Sequence, residues 1–257
     1  GFDTDICRAV AAAVLGSAEK VTFVPMGGRG AYTALLTGEV DLLLLHQPDG
    51  EWSFVRDSAL AVNFTAPSFY DKPGMMVKAS LYKGDIDDLD AVSCIPASSK
   101  SVVPLFLTRN SIRQKGVVFP GENEALRAFG SGECGMVFGA GSVLQGLAED
   151  ESSVVLTAEE GRLLFGPIVR QGDDNWFTIV RWSLLALLDA EVLGFSSRNV
   201  EEMRLAASPE IKRFFGYVGD GGKNLGLADD WAAQIIIQVG NYGEIFALPV
   251  IWVRSQR

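Results

Sequence analysis

Residues 40–45 form a nearly unbroken apolar run, Val40-Asp41-Leu42-Leu43-Leu44-Leu45, which ends abruptly in His46-Gln47-Pro48-Asp49-Gly50. A run of this length suits a strand buried on both faces of a parallel sheet, although so short a run does not by itself exclude a helix. In open α/β sheets ligands sit outside the carboxyl ends of the strands. The polar and aromatic groups from His46 to Arg56 therefore fall where a binding crevice is expected.

The flanking segments extend the pattern. Residues 5–15 place Ile6, Ala9, Val10, Ala13 and Val14 on one helical face, with Gly16 as the stop. A short strand is expected over 20–25, a glycine loop at Gly27, Gly28 and Gly30, and a helix over 32–37 closed by Gly38. This alternation of helix and strand predicts a doubly wound α/β layer. The cluster Phe69-Tyr70-Asp71-Lys72-Pro73-Gly74 reads as a turn, after which the pattern repeats. Strands are expected at 75–78, 92–95, 117–119 and 134–138, and helices at 122–129 and after Ser98-Ser99-Lys100-Ser101. Residues 173–193 carry the strongest helical stripe, with Asp173 and Asp174 at its positive end. Further helices are expected at 199–205, 209–215 and 228–246.

Composition narrows the function classes. The chain has 257 residues, 48% hydrophobic and 21% charged, enough for one large domain or two smaller ones with their own cores. Its net charge of −10 opposes binding to nucleic acid or anionic membrane. The longest apolar stretch, residues 182–195, is broken by Asp189 and Glu191 and falls short of a bilayer span. The chain opens on Gly1-Phe2-Asp3 with no Met and no visible signal peptide, so a trimmed targeting segment is expected. Cys7, Cys94 and Cys134 lack metal-type spacing and are expected to be small core residues rather than a Cys94–Cys134 bridge.

Candidate chemistry is sparse. A nucleophilic triad would have to use His46, the only histidine, and a loop histidine at a strand end is more often a packing or surface residue. An enzyme reading would need His46 or Glu51 as acid or base, with no arrangement to support it. The run Asp85, Asp87, Asp88 and Asp90 lacks the glycine and terminal glutamate of a calcium loop and reads as a solvated face. The glycine-rich segments at 26–30 and 219–226 match no phosphate-binding fingerprint and read as turns. No cofactor is expected. Arg56, following Trp52 and Ser53, has the fork geometry for a carboxylate, or equally pairs with Asp57 at the surface. Ser98, Ser99 and Ser101 could offer hydroxyls and amides to the same carboxylate, with simple helix capping as the plainer role.

Taken together, GFDTDICRAVAAAVLG, FVP followed by YTALLTGEVDLL, FYDKPG, GPIVRQGDDNWFTIVRW, NVEEM, LGLADDWA and VGNYGEIF span almost the whole chain. They resemble the general L-amino-acid-binding proteins, periplasmic solute-binding components of bacterial ABC transporters (extracellular solute-binding protein family 3). The resemblance implies an α/β, two-lobed type II periplasmic binding protein-like fold, each lobe a doubly wound mixed sheet flanked by helices. Its implied lobes are 1–74 with 167–257, and 75–166, with a ligand cleft between them. It also implies an extracytoplasmic location and a transporter membrane component as partner. The family's first strand, ahead of GFD, and its usual ending after GEIF are not matched.

The departures from the family pattern concern the ligand site. Where the family reads SRNTTWTLSRD, this chain reads LLHQPDGEWSFVRD, so that Arg56 matches the arginine expected to hold a substrate carboxylate and Ser53 replaces a threonine. The family's GTTTE becomes Ser98-Ser99-Lys100-Ser101-Val102, which introduces a cation. Its DAYTTD becomes Gly135-Met136-Val137-Phe138-Gly139-Ala140, which puts Ala140 where the ammonium-binding aspartate is expected. The implied ligand-binding set is thus Trp52, Ser53, Arg56, Ser98, Ser99, Lys100, Ser101 and Ala140, and the expected ligand is a carboxylate-bearing small molecule other than a standard amino acid. The alternative expectation is a binding-protein fold kept as an accessory subunit of a larger assembly, with a vestigial cleft.

Overall fold

The computed structural model describes residues 1–26, 28–47, 61–86, 88–100, 103, 106, 116–148, 151–159, 161–206 and 208–246. Two compact units emerge, one built of residues 1–25, 40–42 and 167–257, the other of 26–39 and 43–166.

The elements in chain order begin with α1 (Phe2–Leu15), α2 (Gly28–Thr37), β1 (Leu43–Gln47), β2 (Val62–Phe64), β3 (Phe69–Asp71) and β4 (Pro73–Lys78). They continue with β5 (Ser93–Pro96), a 3-10 turn (Ala97–Ser99), β6 (Gly116–Phe119), α3 (Glu122–Ser131), β7 (Met136–Ala140), α4 (Gly141–Leu147), β8 (Ser153–Thr157) and β9 (Leu163–Arg170). The chain then turns helical: α5 (Asp174–Val192), α6 (Val200–Met203), α7 (Pro209–Phe214), α8 (Gly221–Leu225), α9 (Trp231–Gln238) and α10 (Tyr242–Phe246). No helix among the described residues is long and apolar enough to cross a membrane.

The second unit is organised by a five-stranded mixed sheet in the order β6-β5-β7-β4-β8. β5 runs parallel to both β6 and β7, whereas β4 is antiparallel to β7 and β8. Period-two alternation divides its side chains between two cores. Met75, Val77, Met136, Phe138 and Ala140 meet Leu89, Phe106 and Leu163 on one face. Met76, Cys94 and Val137 meet Ala125, Ala128 and Phe129 of α3 and Leu144 of α4 on the other. A second sheet has the order β1-β9-β2, with β3 also paired to β9, Phe69 opposite Phe165 and Asp71 opposite Leu163.

Several sequence expectations are corrected. Residues 20–25 form no strand: Phe23 and Val24 lie 44% exposed each, without the burial that selects a strand. β1 begins three residues later than expected, since side chains tie down the segment before it. The Val40 carbonyl accepts Arg170 Nη1 at 2.8 Å, and the Asp41 carbonyl accepts Trp176 Nε1 at 3.0 Å. FYDKPG is no turn but β3 and the start of β4, with Pro73 at the first strand position, where its missing N–H is tolerated. The helix expected over 228–246 is split into α9 and α10 at Gly240, whose φ of 99° no helix admits. Within the segment read as turns, α8 forms, and β8, β9 and α4 had no counterpart in the sequence reading. Cys94 and Cys134 are joined in a disulfide, Cα atoms 5.6 Å apart, and Cys7 is free. The parallel β5–β7 register aligns Cys94 with Val137 and brings the turn before β7 to the bridge, a proximity that sequence spacing does not reveal.

In the first unit α1 packs on α5 and α9, and Val10, Val169 and Val180 form a core with Leu42, Trp176 and Phe177 around them. The segment joining α9 to α10 is fixed by Glu244, which accepts from Ser197 N at 2.9 Å, Ser197 Oγ at 2.7 Å and Asn241 N at 2.9 Å. Burial opposes ionisation of Glu244, but these hydrogen bonds and the charge of Arg198 outweigh it and hold the carboxyl below its ordinary value. A depressed folded-state pKa stabilises above the unfolded value, about 4.3, and the benefit fades as pH falls through the folded value. We expect Glu244→Gln to lower stability by about 1 kcal/mol at pH 7 after allowance for solvent screening. In urea titrations the difference from wild type should shrink toward pH 3.

Candidate functional site

The connections of the five-stranded sheet mark one of its ends as the candidate site. From β5 the chain goes to β6 on one side, and from β7 it goes through α4 to β8 on the other. The carboxyl ends of the adjacent parallel strands β5 and β7 therefore flank a topological switch point, the usual ligand position in open α/β sheets. Pro96 and the turn Ala97–Ser99 leave β5 there, and Ala140 ends β7 there. Because β4 is antiparallel to β7, with Pro73 opposite Ala140, Asp71 and Lys72 reach the same end.

This end is held by close backbone contacts. A Cβ on Gly74 would lie 2.7 Å from Gly141 Cα, and a Cβ on Gly141 would lie 2.9 Å from the Lys72 carbonyl oxygen. Only paired glycines allow the Gly141 N–H to donate to that carbonyl at 2.8 Å. Ala140, the residue before α4, has no side chain to cap it, and Asp71 caps the helix from β3 instead. Its Oδ2 accepts the Ser142 N–H at 3.1 Å and the Ser142 hydroxyl at 2.6 Å. This cap was not apparent in the sequence, where Asp71 and Ser142 stand 71 residues apart.

The expected ligand residues divide into those placed and those not. Ser99 is buried at 1% exposure and Lys100 is exposed, both directly after β5. Ala140 is 2% exposed and packs among Phe138, Met136 and Leu163. Ser98 belongs to the 3-10 turn, with its side chain outside the described set. Trp52, Ser53, Arg56 and Ser101, with Glu51, lie outside the described residues, and His46 is described only as backbone of β1. β5 and β7 therefore bring Ser99, Lys100 and Ala140 to one sheet end. On the opposite face of the sheet Glu122 opens α3, and a Cβ on Gly139 would lie 3.2 Å from its Oε1. No group of three or more His, Cys, Asp or Glu among the described residues could hold a metal ion.

No family model matches the chain. The general L-amino acid-binding periplasmic protein of Rhizobium johnstonii is 38% identical over 255 residues, covering 96% of this chain and 74% of that relative. This chain belongs to the periplasmic solute-binding proteins of amino-acid ABC transporters. Another member of this family, the glutamate/glutamine/aspartate/asparagine-binding protein of Rhodobacter capsulatus, is 39% identical over 254 residues with the same coverage, 96% and 74%. Among solved structures, a periplasmic binding protein of an ABC transporter from Brucella ovis, with glutathione bound, aligns with a TM-score of 0.88 at 36% identity, covering 97% of this chain and 80% of that one. An L-cysteine solute receptor of Neisseria gonorrhoeae, at a TM-score of 0.61 and 20% identity, shares the fold. The fold is the α/β type II solute-binding architecture, and the family's members are binding proteins rather than enzymes.

Proposed function

We propose that this solute-binding protein serves an amino-acid-type ABC transporter with its specificity moved away from standard amino acids toward another carboxylate-bearing small molecule. The observation that carries the reading is Ala140, an apolar and buried residue at the end of β7, in the position where the family resemblance calls for an aspartate. A desolvated ammonium needs a carboxylate or several acceptors beside it. On the neighbouring strand end stands the exposed cation Lys100, which favours an anion. Arg56 is the proposed carboxylate anchor, assisted by Trp52, Ser53, Ser98, Ser99 and Ser101. The proposed lobes are 1–74 with 167–257, and 75–166. The Brucella ovis relative with glutathione bound fits a family whose ligands extend beyond single amino acids.

Isothermal titration against L-amino acids and simple carboxylates tests the reading. Losing one partner of a buried charged pair costs about 3 to 5 kcal/mol, so an ordinary L-amino acid is expected to bind about two to three decades more weakly than a carboxylate that fits. Arg56→Ala should weaken the carboxylate by about two decades. Tight binding of a standard L-amino acid overturns the altered specificity. Binding of no probe favours the accessory-subunit alternative.

A further inference from the structure

The end of β7 takes its place from the junction of β3 and β4. Ala140 lies opposite Pro73 in the β4–β7 ladder and packs in one core with Leu163, the residue that pairs with Asp71 where β3 meets β9. The two residues after it are tied to the same junction. Gly141 donates its N–H to the Lys72 carbonyl at 2.8 Å, and Ser142 gives both its N–H, at 3.1 Å, and its hydroxyl, at 2.6 Å, to Asp71 Oδ2. The other oxygen, Asp71 Oδ1, accepts the Lys72 N–H at 2.7 Å, which fixes the orientation of the carboxylate. Ala140 is extended, with φ −74° and ψ 133°, and brings no capping group of its own. One side chain, Asp71, therefore sets where β7 ends and α4 begins.

We infer that Asp71 is a positioning residue for solute binding, acting through Ser142 to hold the end of β7 in the conformation that the solute meets. This rests on the reading that the solute lies at the carboxyl ends of β5 and β7, and adds a residue that need not touch it. A cap from a distant strand differs in effect from a local one. Its loss lets the first turn of α4 fray together with the strand end that precedes it, and apparent affinity falls with the fraction of molecules that stays competent. The corresponding cap of α5, in the first unit, is local: Asp173 Oδ1 accepts the Trp176 N–H at 2.8 Å, three residues along. Its loss costs stability alone.

Calorimetric titration of the full chain with glutarate and L-glutamate, read beside thermal unfolding, separates positioning from stability. With whichever probe binds the wild type, Asp71→Ala is expected to weaken binding by about five-fold, the scale of one helix cap, and Ser142→Ala by about two- to three-fold, since it keeps the amide contact. The double variant should bind no more weakly than Asp71→Ala, because both substitutions remove the same contact. Asp71→Asn, which retains an acceptor oxygen, should stay within about two-fold of wild type. Asp173→Ala should lower the melting temperature as Asp71→Ala does and leave affinity within about two-fold. Unchanged affinity in Asp71→Ala, or an equal loss in Asp173→Ala, overturns the positioning role while solute binding stands. If Asp71→Ala does not fold, Ser142→Ala decides, and unchanged affinity there overturns the role. Affinity for L-glutamate with none for glutarate overturns the altered specificity, and the variants then test Asp71 with L-glutamate. Binding of neither probe overturns both.

Discussion

Replacing Cys94 and Cys134 together by alanine should lower the unfolding free energy by about 4 kcal/mol, the loop-closure entropy restored to the unfolded chain by opening a bridge across 40 residues. The sulfurs are fully enclosed, Cys94 at 0% and Cys134 at 1% exposure, so truncation adds a small packing loss against Val137, Ala125 and Phe129. For a chain of this size the melting temperature should fall by roughly 10 °C. Thermal and urea unfolding of the double variant measure it. A loss below about 1 kcal/mol would mean that parallel pairing of β5 with β7 already restricts the unfolded chain and that the bridge adds little.

On the proposed reading, Ala140→Asp should strengthen binding of L-glutamate or L-alanine by about two decades through the charge-assisted contact it would add. The new carboxylate would also occupy an enclosed position among Phe138 and Leu163, so the ligand-free variant should lose about 1 to 3 kcal/mol of stability. The two effects move in opposite directions. A variant that melts lower when empty yet is raised by an L-amino acid would display both, and calorimetry with and without ligand reads them. An unchanged amino-acid affinity would show that position 140 does not face the ligand.

Periodicity made the main frame of the fold legible. The stripes of α1 and α5, the apolar strands at 75–78 and 117–119, and the glycines Gly16 and Gly38 that stop α1 and α2 carry their structure locally. The errors arose where distant partners decide. Phe23 and Val24 have strand-like character but nothing to pack on. The Pro73-Gly74 pair looks like a turn until β7 and Gly141 are placed against it. The Cys94–Cys134 pairing depends on a parallel register between strands separated by β6 and α3. Ser99, Lys100 and Ala140 were proposed from their match to the family's ligand motifs, and β5 and β7 carry them to one end of the sheet. The cap of α4 was not legible, because Asp71 and its partner Ser142 stand 71 residues apart.

The interrupted course of the first unit bears on how the chain acquires its structure. α1 packs on α5 and α9, and Ala18 N donates to Gln238 Oε1 across 220 residues, whereas the partners of β4 through β8 all lie within one continuous stretch. During synthesis the five-stranded sheet can assemble while α1, which precedes it, still lacks the helices it rests on. Closing such long loops is slow compared with forming neighbouring strands. The order of maturation is therefore inverted with respect to the order of synthesis: the sheet sets first, and α1 waits for α5 and α9.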